Sequence, residues 1–161
     1  MTQGQAMSTT KTELNMAAQR GVQACKQGKW KEGLAVLGQI AELDRQGAEL
    51  NGQFYSYLGY GIARYERRVK EGLALCQHAI KVQFYEPDNY VNLARVYLLA
   101  RNRRKAVEAL TRAMKLNASH NGARALAHEI GWRRPPVIPF LSRNNFLNRI
   151  LGKMRHQLSQ K

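Results

Sequence analysis

Small residues recur in pairs along this chain, and the spacing of those pairs leaves few architectures open. Gly59 and Ala94 lie 35 positions apart, and each is followed by a second small residue, Gly72 or Ala106. Around them, bulky apolar residues keep helical spacing. Tyr55, Leu58 and Ile62 surround Gly59, and Tyr90, Leu93 and Tyr97 surround Ala94. Cys76 and Ala79 follow Gly72, and Leu110 and Ala113 follow Ala106. A small residue on each of two facing helices lets their axes come close, where a larger side chain would hold them apart. A period of about 34 residues therefore reads as a stack of helix–turn–helix units, none able to bury its apolar face alone.

A weaker copy precedes these two. Gly21 lies 38 residues before Gly59, Gly28-Lys29-Trp30 reads as the turn, and Gly33, Leu37 and Ile40 supply a second helix. Here Arg20 and Ala17 stand where the later units have Leu and Tyr, as befits a terminal unit with one face in water. Glu86-Pro87-Asp88 marks a helix start, with proline in the first turn and acids at the positive end. Asn117-Ala118-Ser119 marks a stop, and residues 121–130 read as a closing helix that ends at Gly131. The one-residue difference between the Gly59–Gly72 and Ala94–Ala106 spacings is expected in the turn around Arg67 and Lys70, where insertion costs little. Residues 1–13 read as a flexible arm, residues 14–131 as the repeat domain (14–47, 52–86, 87–120 and the cap 121–130), and residues 132–161 as a tail.

The Tyr90-x2-Leu93-Ala94-x2-Tyr97 run followed by Ala106, Leu110 and Ala113 resembles the tetratricopeptide repeat. The resemblance extends over roughly residues 14–130, strongest in the third unit. It implies an all-α fold, a right-handed solenoid of antiparallel helix hairpins whose concave groove binds protein or peptide segments. The groove positions implied are Asn15, Gln19, Val22 and Lys26, then Gln53, Tyr57, Tyr60 and Arg64, then Asp88, Asn92, Arg95 and Leu99. Repeat proteins that clamp an acidic C-terminus need a Lys/Asn set that this chain lacks, since Val22 and Tyr60 interrupt it. Tyr57, Tyr60, Arg64, Asn92 and Arg95 instead suit a partner with apolar and acidic anchors. Secretion chaperones built from three such repeats are similar in length and offer an alternative function.

The net charge of +15 is unevenly placed: +1 over residues 1–51, +2 over 52–86, +5 over 87–120 and +7 over 121–161. Such asymmetry speaks to partners rather than to fold. Arg101, Arg103, Arg104 and Lys105 crowd the turn of the third unit. In the tail, Arg133 and Arg134 precede Pro135, Pro136 and Pro139, which exclude helix and favour extended backbone, docked on the solenoid or on a separate protein. A final basic amphipathic helix then places Phe146, Leu147, Ile150, Leu151, Met154 and Leu158 on one stripe beside Arg149, Lys153 and Arg155. Three roles fit it: packing on the repeats, binding a partner helix, or lying on an anionic membrane surface. Nonspecific contact of the basic face with nucleic acid is a further reading.

Chemistry is not signalled. His78, His120, His128 and His156 are scattered, no Cys-x2-Cys occurs, and no phosphate-binding glycine loop or nucleophile elbow is present. The expectation is a non-enzymatic protein without cofactor or metal. Cys25 and Cys76 read as small core residues of a reducing compartment, a disulfide being the alternative. With no secretory signal or membrane span in the sequence, the expected location is cytoplasmic, or peripheral at a membrane.

Overall fold

The computed structural model describes residues 3–43, 50–131 and 145–158. Among them are eight α-helices and no strand: α1 (Gln3–Lys26), α2 (Trp30–Leu43), α3 (Gly52–Tyr65), α4 (Val69–Val82), α5 (Pro87–Leu99), α6 (Arg103–Leu116), α7 (Asn121–Glu129) and α8 (Phe146–Leu158). Two compact units result, residues 1–129 and 130–161. In the first unit α1–α2, α3–α4 and α5–α6 are hairpins. The first helix of each packs on the first helix of the next, α1 on α3, α3 on α5 and α5 on α7. The chain is a helical-repeat solenoid.

The small residues sit where the hairpins are tightest. A methyl group on Gly59 would lie 2.8 Å from the Gly72 carbonyl oxygen, and one on Gly72 would collide with the Gly59 carbonyl. The first hairpin is built the same way, since a methyl on Gly33 would lie 2.8 Å from the Gly21 carbonyl oxygen. Ala94 and Ala106 are buried in the third. Phe54, Leu37 and Leu50 are fully buried between the first two repeats. Each such side chain contributes about 1.5–3 kcal/mol through burial.

Each hairpin turns in three residues and carries one residue with positive φ: Gly28 (83°), Arg67 (60°) and Arg101 (55°). All three stand five positions ahead of the small residue of the second helix, Gly33, Gly72 or Ala106. The extra residue of the second repeat is therefore not in the turn, as its sequence suggests. It lengthens α3, which has 14 residues against 13 in α5. A second correction concerns the N-terminus, where α1 begins at Gln3 and residues 3–13 are helix rather than arm. No proline interrupts this stretch, and a helix already nucleated by packing propagates at one hydrogen bond per residue.

Caps fix the other ends. Asn51 accepts from the Phe54 N–H at 2.9 Å to start α3. Glu86 accepts from the Asp88 N–H at 3.3 Å, with Pro87 as the first residue of α5. Both thiols are free and buried, Cys76 donating to the Ser56 carbonyl at 3.5 Å. The link at residues 44–49 and the Pro-rich run from Trp132 to Leu141, with Arg133 and Arg134, lie outside the described residues.

Candidate functional site

The groove of the solenoid is a cavity of about 870 Å³, and its walls come from α1, α2, α3, α5, α7 and the link before α7. α3 contributes Tyr57, Tyr60 and Arg64, and α5 contributes Asp88, Val91 and Arg95. Both sets follow i, i+3, i+7 spacing, the periodicity that keeps side chains on one helical face. Trp30 closes one side. Its ring stacks on Tyr57 (centroids 6.0 Å apart) and meets Tyr60 edge-on at 5.1 Å.

Asp88 forms the floor and gathers donors from three repeats. Its carboxylate pairs with Lys26 at 2.8 Å and accepts from Gln53 at 3.3 Å. His120 Nδ1 accepts from the Ala123 N–H at 3.1 Å, which caps α7. The proton therefore resides on Nε2, which donates to Asp88 at 3.2 Å. Burial first, and then the Asp88 carboxylate, hold the Tyr57 phenol above its ordinary range. Asp88 is thus already satisfied by protein donors and offers little to a cationic ligand.

The cations opposite are differently placed. The Arg95 guanidinium lies 5.3 Å from the Tyr60 ring centroid and donates to Asn92 Oδ1 at 3.2 Å. Arg64 is exposed at the cavity wall. Among the described residues neither arginine has a carboxylate partner, while Lys26 does. Glu129 is the remaining acid on the wall.

Of the groove residues named from sequence, the structure brings Tyr57, Tyr60, Arg64 and Arg95 together. It places Asn92 elsewhere: Asn92 is buried, donates to Ser56 Oγ at 3.3 Å and does not line the cavity. Tyr57 and Asn92 are repeat equivalents, 35 positions apart, and both are buried because this position faces the preceding repeat. Gln19 and Val22 line a second cavity of about 690 Å³ with Asn51 and Gln53. Sequence reasoning missed Trp30 and His120 as groove residues. From sequence Trp30 reads as an aromatic of the first turn, and His120 lies outside any repeat's first helix, so only the packing of α7 reveals it.

The basic positions scatter. At the start of α6, not in the turn before it, Arg104 pairs with Glu108 at 3.6 Å and Lys105 lies 5.7 Å from the Tyr97 ring, so both are engaged on their own hairpin. Arg103 is exposed. Arg149 and Lys153 are exposed on α8, and the Arg155 side chain lies outside the described residues. Among the described residues no three His, Cys, Asp or Glu side chains converge as a metal site. No helix there is long and apolar enough to cross a membrane.

No family model matches the sequence, and no curated protein matches it. Among solved structures, the chain is similar to the Arabidopsis OM64 TPR domain, with a TM-score of 0.56 over 74% of this chain and 94% of that one. At 12% identity the likeness establishes the fold, a tetratricopeptide-type helical solenoid.

Proposed function

We propose that the groove captures an extended segment of a partner protein, one that sets an apolar or aromatic anchor beside an acidic one, and that the chain works as an interaction scaffold rather than an enzyme. The observation that carries this reading is the pair of guanidinium groups, Arg64 and Arg95, which have no carboxylate partner among the described residues and stand beside the Trp30–Tyr60 corner. An arginine over an aromatic ring in a groove favours a carboxylate, since the pair forms a charge-assisted hydrogen bond and the ring excludes water. The satisfied Asp88 disfavours a basic segment.

Trp30 reports on the test. Replacing Trp132 with Phe leaves Trp30 as the sole tryptophan. Titration with peptides carrying Phe or Leu next to Glu is expected to change its emission. Charge-reversed peptides carrying Lys should not. Arg64→Glu and Arg95→Glu should each weaken binding about tenfold or more, the cost of one charge-assisted contact. Equal binding of acidic and basic peptides, or indifference to both substitutions, would overturn the reading.

A further inference from the structure

α8 carries its side chains the wrong way round for a helix facing water. Phe146 is 71% exposed, Met154 52% and Leu147 49%, while the polar Asn148 is only 6% exposed. Phe146, Ile150 and Met154 stand at i, i+4 and i+8, a continuous ridge along the helix. Arg149 and Lys153 run beside that ridge and are exposed too. The charge around it is of one sign. Residues 130–161 hold seven Lys/Arg and no Asp or Glu.

We propose that α8 is a membrane-surface anchor. It lies in the plane of an anionic bilayer, with Phe146, Ile150 and Met154 in the acyl boundary and Arg149 and Lys153 at the level of the lipid phosphates. The 13 residues of α8 are too few to cross a bilayer but suffice to lie along one. Two features select lipid over other occupants. Nucleic acid offers phosphates but no use for a ridge of Phe, Ile and Met. A groove on a partner protein would use the ridge, yet seven cations without one carboxylate across 32 residues match an extended anionic surface better than a single cleft. Arginine and lysine stems also lie readily along the apolar boundary with their heads in water.

The full chain is tested by co-sedimentation with phosphatidylcholine vesicles, with and without phosphatidylserine. Binding is expected only with the anionic lipid, and to weaken as salt rises. Ile150→Asp should lower the affinity about tenfold or more, because an apolar side chain no longer enters the boundary. Arg149→Gln with Lys153→Gln should lower it about 30-fold. Because Cys25 and Cys76 are buried, an environment-sensitive dye can be attached selectively at Ile150→Cys. Its emission should shift to the blue on anionic vesicles, while a dye at Arg112→Cys on α6 should not respond. Absence of vesicle binding, binding indifferent to Ile150→Asp, or an unshifted dye at position 150 would each sink the proposal. So would single-stranded RNA displacing the vesicles with an affinity that Ile150→Asp leaves unchanged, which would make the unit a nucleic-acid binder.

Discussion

Arg101 and Gly72 occupy backbone positions with opposite demands. Arg101 sits at φ 55°, in the left-handed region where Cβ is crowded. Glycine relieves that crowding but loses more entropy on folding, so Arg101→Gly should stabilise the chain by about 0.5–1 kcal/mol. Gly28, the equivalent residue of the first repeat, already makes that choice. Gly72→Ala runs the other way. Its new methyl meets the Gly59 carbonyl and the Ala63 side chain, neither of which can swing aside, and the cost should be about 1–3 kcal/mol. Urea unfolding midpoints of the two variants, moving in opposite directions from the parent, are the measurement. The glycine pairs were legible in the sequence because close approach demands small residues. The strain at Arg101 was not, since arginine gives no sign of positive φ.

α1 and α4 each bury a thiol, and burial gives these helices a response to alkali. Desolvation pushes Cys25 up to about 11 and Cys76 up to about 12. An unfolded thiol titrates near about 8.5. Between those values the unfolded chain loses protons that the folded chain keeps, so stability is intact below about pH 8.5 and falls as pH rises above it. The urea midpoint should therefore drop from pH 8 to pH 9.5, and Cys76→Ala should flatten the decline. A thiol reagent at neutral pH should react only as fast as the helices open. At this scale the sequence placed both cysteines in the core from their helical spacing. The environment that sets their titration comes from the packed neighbours.

The two units of the chain carry separate assignments, groove and surface helix, and should part cleanly. A chain ending at Gly131 keeps α1–α7, including the α7 cap whose Ala123, Leu126 and Ala127 are buried. It should keep the helical circular dichroism of the repeats, unfold in one transition, and retain the peptide response of Trp30 while losing vesicle binding. Loss of helical signal from the repeats on truncation would show instead that residues 132–161 hold the solenoid together.

The sequence by itself determined the hairpins and their order, because helical periodicity, the small residues at close contacts and the Glu86-Pro87-Asp88 start are local signals repeated along the chain. The resemblance to tetratricopeptide repeats further implied groove positions at Tyr60, Arg64 and Arg95, which line the cavity. Only the tertiary structure decided which of those positions stay open. Asn92 turned inward to Ser56, and Trp30 and His120 came to the groove from outside the first helices. Asp88 was engaged by Gln53 one repeat period away, and by Lys26 and His120 at separations that the repeat period does not encode. Electrostatic character depends on those long-range partners, and so which charges on the cavity wall are already paired was decided only by the tertiary structure.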